Sequence, residues 1–268
     1  MRRLLRLVAA AALATAGLAA PAAAGLAAPA AAGLAAPAAA APVHYSAPSP
    51  DGTIGIDVVG GRQATENYSF LVYSSGCTAS LIAANWVVTA GHCPTPTSVR
   101  VGSVNRTSGG TVVRVNGSVT HPTADVKLMR LATSVSQAPA PIPTSSPAVG
   151  TATRIIGWGQ TCPVRGACST PTVANELDTS VVTDSLCRGG GIVGSVEICT
   201  NNPGGNSGAC YGDSGGPQVL RSGNRWLLVG ATSRSGNGDA RCATGPSIYG
   251  DLPSIRSWIV GYTGTLPS

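Results

Sequence analysis

The chain has 268 residues, 43% of them apolar, which is enough material for a sizeable folded core. Charged residues make up only 10%, aromatic residues 4%, and 35 Gly with 20 Pro punctuate the rest, which excludes long charged helices and points to short strands and many turns. The net charge is +6, but Arg2, Arg3 and Arg6 belong to the extreme N-terminus and the remaining basic residues are scattered singly, a distribution that argues against nucleic-acid binding.

Met1-Arg2-Arg3-Leu4-Leu5-Arg6 is a basic leader, and Leu7 to Ala20 an apolar, Ala-rich run of secretory type. A membrane anchor is the competing reading, but Pro21 interrupts the run and no other stretch approaches the roughly 20 apolar residues of a span. The octapeptide Gly-Leu-Ala-Ala-Pro-Ala-Ala-Ala then occupies 17–24, 25–32 and 33–40 in tandem. Eight small residues around a Pro cannot bury a face, so residues 1–40 read as signal peptide and spacer, cleavable after any copy. Residues 41–57, with Pro42, Pro48, Pro50 and Gly52, continue as a short propeptide.

From Val58 the texture changes to β-branched runs separated by Gly, Asn, Ser and Pro, among them Trp86-Val87-Val88-Thr89, Thr111-Val112-Val113-Arg114-Val115 and Arg225-Trp226-Leu227-Leu228-Val229. They predict an all-β sandwich or barrel of about 210 residues. Only Leu252 to Val260 has a helical pattern, with Leu252, Ile255 and Ile259 at spacings of three and four and Pro253 near the start. Eight cysteines, none in a CxxC pair, beside three histidines, offer no zinc-site spacing and favour a disulfide set in an exported protein.

Three segments carry chemistry. Val87-Val88-Thr89-Ala90-Gly91-His92-Cys93 ends an apolar strand on a histidine, and Thr123-Ala124-Asp125-Val126-Lys127-Leu128-Met129-Arg130-Leu131 opens one with an aspartate. Alone, the first reads as a core or turn histidine, and the second equally as a strand-start cap. In Cys210-Tyr211-Gly212-Asp213-Ser214-Gly215-Gly216-Pro217 the serine sits between glycines, where its hydroxyl is unhindered and backbone N–H groups can converge on one point, as an oxyanion hole requires. Together they supply a base, its orienting carboxylate and a nucleophile: His92, Asp125 and Ser214. His121 is closer to Asp125 in sequence, but it is followed by Pro122 in a polar turn and is expected to be a surface residue.

In this order the motifs Thr-Ala-Gly-His-Cys, Asp-Val-x-Leu-x-x-Leu and Gly-Asp-Ser-Gly-Gly-Pro resemble the signatures of the chymotrypsin-like (trypsin-type) serine proteases. Val58-Val59-Gly60-Gly61 resembles that family's mature N-terminus, Gly157-Trp158-Gly159 its marker opening the second barrel, and Tyr249 with Trp258-Ile259 its closing strand and C-terminal helix. The resemblance covers residues 58–262. It implies two antiparallel six-stranded β-barrels, here 58–150 and 151–268, with a C-terminal helix and catalytic groups in the cleft between the barrels.

The resemblance further implies acyl transfer by Ser214 with His92 and Asp125, an oxyanion hole of the Gly212 and Ser214 N–H groups, and no cofactor or metal. It implies activation by a free amine on Val58 that pairs with Asp213. Asp57 precedes Val58, and no Lys or Arg occurs from 7 to 61, so a trypsin-like activator cannot make that cut. Family positions pair Cys77 with Cys93, Cys187 with Cys199 and Cys210 with Cys242, and leave Cys162 and Cys168 close enough to staple their own loop.

At the specificity pocket the match places Gly208 at the base, where a tryptic pocket needs Asp, and Ser233, Ser235 and Ser247 on the walls. A buried Lys or Arg of a substrate would lack its charge partner, so small or medium neutral residues are expected before the scissile bond. Arg234 stands where the family usually has Trp. It reads either as a solvated loop charge or as a contact for acidic residues further along the substrate. The expected partners are protein or peptide substrates and protein protease inhibitors, with no nucleic acid, no membrane after signal removal, and a monomeric state. A catalytically inactive protease-fold binding module and a plain disulfide-stapled adhesion domain are the alternatives. Sixteen Arg against one Lys suits a GC-rich bacterial genome, in which the sequons at Asn67, Asn105 and Asn116 need not carry sugar.

Overall fold

A computed structural model describes residues 58–268. The leader, the octapeptide repeats and the propeptide expected over 1–57 lie outside the described residues.

Among the described residues thirteen strands and one α-helix follow in chain order, besides two short 3-10 turns: β1 (Arg62–Gln63), β2 (Leu71–Ser74), β3 (Cys77–Ala83), β4 (Trp86–Thr89), β5 (Ser98–Val101), β6 (Thr111–Thr120), β7 (Lys127–Leu131), β8 (Ala152–Gly157), β9 (Asn175–Val182), β10 (Glu197–Thr200), β11 (Pro217–Ser222), β12 (Arg225–Ser235), β13 (Ser247–Asp251) and α1 (Arg256–Thr263). The runs at 86–89, 111–115 and 225–229 are strands, as their β-branched character predicts. Alternation sets their faces: Val99 and Val101 of β5 point into the core, whereas Ser98 and Arg100 are only half-buried.

Strands β2-β3-β4-β7-β6-β5 close into one barrel, packed with Leu71, Val72, Leu81, Ile82, Val87, Val88, Leu128 and Met129, all fully buried. The order β9-β10-β13-β12-β11-β8 closes into a second, because β8 pairs with both β11 and β9. The two six-stranded antiparallel barrels of the resemblance are therefore present. Strand β1 adds to the edge of β9, where Arg62 forms ion pairs with the buried Glu176 at 2.9 Å and with Asp178 at 3.0 Å.

The helix begins later than its sequence pattern, at Arg256 and not at Leu252. The backbone N–H of Ser254 donates to Asp251 Oδ1 and its hydroxyl to the Asp251 carbonyl, so the residues ahead of the helix form a side-chain-stabilised turn. The apolar residues of the pattern are still buried. Trp258 packs edge-on against His121 at 4.8 Å and Tyr262 lies 6.5 Å from Trp86, which fixes the helix on the first barrel.

Candidate active site

Both barrels contribute to one cleft. His92 follows β4 after Ala90-Gly91, Asp125 lies in the turn between β6 and β7, and Ser214 lies in the loop before β11. Strand β3 of the first barrel grips the serine loop of the second: Thr78 donates its N–H to the Ser214 carbonyl at 2.9 Å and its hydroxyl to the Gly212 carbonyl at 3.0 Å.

The three side chains form one line of hydrogen bonds. His92 Nε2 is 2.8 Å from Ser214 Oγ, and His92 Nδ1 is 2.8 Å from Asp125 Oδ2. The other carboxylate oxygen accepts the His92 backbone N–H at 2.9 Å, and Ser233 Oγ donates to Asp125 Oδ2 at 2.7 Å. Burial by itself would raise the Asp125 pKa; the bonds from His92 and Ser233 outweigh it and hold this carboxyl at about 2. With Asp125 ionised and bonded to Nδ1, that nitrogen carries the hydrogen, and Nε2 is left free to accept the serine proton.

His121 takes no part in this line. Its Nδ1 accepts the N–H groups of Ala124 at 2.9 Å and Thr123 at 3.2 Å, and its ring lies on Trp258. It is a half-buried brace of the Asp125 turn, not the surface residue expected, and desolvation lowers its pKa.

Ahead of the nucleophile, Gly212 has φ +108°, a conformation that side-chain-bearing residues rarely adopt. The Asp213 N–H is spent on the Cys210 carbonyl, while those of Gly212 and Ser214 donate to no other described residue. The Asp213 carboxylate, 3% exposed, lies in a socket made by the Gly-Trp-Gly segment. It accepts the Gly159 N–H at 2.8 Å and the Cys210 N–H at 2.9 Å. A Cβ on Gly159 would stand 2.1 Å from Asp213 Oδ2, so glycine there is a requirement of close approach. Burial pushes the Asp213 pKa up to about 6, offset only in part by those two N–H bonds. Nearby, the Val58 side chain is buried among Ile155, Leu177, Val181, Ile198 and Tyr249.

The cleft has a volume of about 890 Å³ and runs from Gly76, Cys77 and Pro94 past His92 and Ser214 to Ser233, Ser235 and Ser247. Gly208 is buried behind this wall, and a Cβ there would point between Ser247 Oγ at 3.7 Å and Ala243 Cα at 4.0 Å. Cys77–Cys93, Cys162–Cys168, Cys187–Cys199 and Cys210–Cys242 are disulfides.

Residues 58–259 match the family model described as Trypsin. The chain belongs to the trypsin family. It is thereby a serine endopeptidase of a class that acts on proteins. Trypsin alpha of Drosophila melanogaster is 32% identical over 214 residues, 72% of this chain and 80% of that protein. Trypsin 5G1 of Aedes aegypti is 31% identical over 236 residues, 77% and 85%, and a trypsin of Sarcophaga bullata 31% over 204 residues, 68% and 77%. These relatives are insect enzymes, so the bacterial origin suggested by the Arg-to-Lys ratio finds no support in them.

Sequence reasoning missed the partner of Arg234. Its guanidinium grips Glu197 of β10 with both arms, at 2.6 and 2.9 Å. It is neither a solvated loop charge nor free to receive an acidic substrate residue. The pair is joined by register: Arg234 lies opposite Ile248 of β13, which lies opposite Cys199 of β10, a proximity that no local spacing reveals. Among the described residues no group of three His, Cys, Asp or Glu is placed to hold a metal, and no helix is long and apolar enough to cross a membrane.

Proposed function

We propose that the chain is secreted as a precursor and, once cut before Val58, hydrolyses peptide bonds through His92, Asp125 and Ser214. The observation that carries this reading is the unbroken hydrogen-bond line from Ser214 Oγ through His92 to Asp125. Ser214 Oγ attacks the substrate carbonyl carbon as His92 Nε2 takes its proton. The tetrahedral oxyanion is bound by the N–H groups of Gly212 and Ser214, each worth about 3 kcal/mol in such enzymes. His92 then gives the proton to the leaving amine, and water attacks the acyl-enzyme by the same route in reverse. Asp125 keeps His92 in the required tautomer and stabilises its cation.

Residues 1–40 act as signal peptide and spacer, and 41–57 as a propeptide released by a protease that cuts after Asp57. The new Val58 ammonium supplies the buried Asp213 with a counter-ion and fixes the oxyanion turn. The specificity pocket around Gly208, Ser235 and Ser247 has no carboxylate at its base, and its substrates carry small or medium neutral residues before the scissile bond. The mature enzyme is an extracellular monomer, open to protein inhibitors that fill the same cleft.

The test is intact mass of the secreted protein before and after an organophosphonate label, with Ser214→Ala as control. One adduct on Ser214, in material that starts at Val58, is the expected result. No adduct on material starting at Val58 would favour an inactive binding module, and full activity in material with an earlier start would remove the Val58 switch. Arg substrates cleaved faster than Ala, Val, Leu or Phe substrates would overturn the pocket assignment.

A further inference from the structure

Arg234 is saturated. A guanidinium has five N–H donors and accepts nothing. Here Nε donates to the Gly190 carbonyl at 2.9 Å. Nη1 donates to Glu197 Oε1 at 2.6 Å and to Ser233 Oγ at 3.0 Å. Nη2 donates to Glu197 Oε2 and the Gly191 carbonyl, both at 2.9 Å. The bond to Ser233 is the informative one. A serine hydroxyl has a single hydrogen, and an arginine facing it can only donate, so Ser233 must accept from Arg234 and send its own hydrogen to Asp125, 2.7 Å away.

We propose that Arg234 is a positioning residue for the triad: it fixes the Ser233 hydrogen on Asp125, and its charge, set against that of Glu197, tunes how readily His92 takes up a proton. The proposal rests on the protease reading above and deepens it. Glu197 is held in turn by the Val193 N–H at 2.7 Å, and its side chain is 4% exposed against 36% for Arg234. The chain Glu197–Arg234–Ser233–Asp125–His92–Ser214 thus joins the extended-substrate wall to the nucleophile through consecutive hydrogen bonds. A cation two bonds from Asp125 weakens the hold of that carboxylate on a protonated His92, and the Glu197 charge moderates this effect.

The other charged or titratable groups around His92 and Asp125 are accounted for. Lys127 directs its ammonium at the Cys93 carbonyl, and His121 accepts backbone N–H groups of the Asp125 turn. Asp213 is enclosed behind the nucleophile, and Arg165 and Asp239 line the cleft. None of them bonds to Ser233.

The experiment compares pH profiles of kcat/KM for the cleaved enzyme and its variants, using one neutral peptide substrate. Glu197→Gln keeps the shape and one of the two acceptor oxygens while removing the negative charge, and the acid limb should move to lower pH by about half a unit. Arg234→Met should move it up by a similar amount. Because Arg234→Met leaves Glu197 buried without its counter-ion, the double variant R234M/E197M provides the control that folds: its limb should return near the parent position. Its kcat should stay about five-fold low because the Ser233 hydroxyl is no longer held. An unmoved limb in E197Q, or equal shifts in the same direction for E197Q and R234M, overturns the proposal. A parent enzyme that takes no label on Ser214 overturns the protease reading with it, whereas normal labelling with an unmoved limb removes this inference alone.

Discussion

Asp213 offers a direct measure of what the proposed activation by a cut before Val58 has to overcome. In the uncleaved chain the Val58 nitrogen is an amide, and the buried Asp213 carboxyl has two N–H donors and a pKa raised from 3.8 to about 6. Between those values the folded chain holds a proton that the unfolded chain has released, so stability falls as pH rises through this window and stays lower above it. A difference of about two units corresponds to about 3 kcal/mol. Asp213→Asn, compared in an uncleaved Ser214→Ala background that cannot digest itself, removes this contribution. The carboxamide also sets an NH₂ against one of the two N–H donors, a penalty that does not vary with pH and cancels in the comparison. Urea unfolding at pH 4.0 and 7.5 should show the parent losing about 2.4 kcal/mol more than the Asn variant, since the other carboxylates are common to both. After cleavage before Val58 this fall should disappear, because the ammonium favours the carboxylate and pulls the carboxyl below its unfolded range, so that nearly all of its titration lies below pH 4. A parent-to-variant difference that is the same at both pH values, or that grows in favour of the uncleaved parent, would refute the reasoning.

Asp125, held at about 2, should stay ionised across the working range, so activity should show a single acid limb and no second carboxylate step between pH 3 and 5. Asp125→Asn should lower kcat/KM by about 10⁴ through loss of the correct His92 tautomer, read from initial rates. Gly159→Ala places a Cβ 2.1 Å from Asp213 Oδ2. It should lower kcat by about 10² or more through the displaced oxyanion turn and cost about 1–3 kcal/mol of stability; wild-type labelling rates at Ser214 would contradict this. The disulfides span very different loops, with separations of 6 for Cys162–Cys168 and 32 for Cys210–Cys242. Replacing each pair by serines should cost about 2.4 and about 3.7 kcal/mol in the chain-entropy account, an order that denaturant midpoints would test.

What the sequence made legible was local in the chain. The segments around His92, Asp125 and Ser214 are each fewer than ten residues, and each fixes its own turn and its own side chain. The closure of both barrels brings them together, and nothing more distant is needed to find them. The helix starts later than the pattern because Pro253 and the apolar spacing look the same in a side-chain-stabilised turn as in a first helical turn. Only the bonds from Ser254 to Asp251 distinguish the two. His121 looked exposed because its neighbours in sequence are polar, whereas its cover comes from Trp258 on α1. Arg234 looked free because its counter-ion lies 37 residues earlier, two strands away across the sheet.

The wall at Arg234 differs from the rest of the site in how it can change. Ser214, His92 and Asp125 each bond the next, so any single exchange breaks the line. Arg234 and Glu197 form a closed pair whose charges compensate each other, which makes the pair, and not the residue, the unit of substitution. Arg234→Trp, a return to the aromatic residue usual for the family, would strand Glu197 with its side chain 4% exposed. Removing one partner of a fully buried pair costs about 3–5 kcal/mol, while replacing both by apolar residues is close to neutral. With the Arg234 side chain 36% exposed, Arg234→Trp alone should cost less than that range in urea unfolding, and R234W/E197M should recover the loss. A single variant as stable as the double would mean that water reaches Glu197 freely, and the wall would then be an open surface charge, not a buried brace for Ser233.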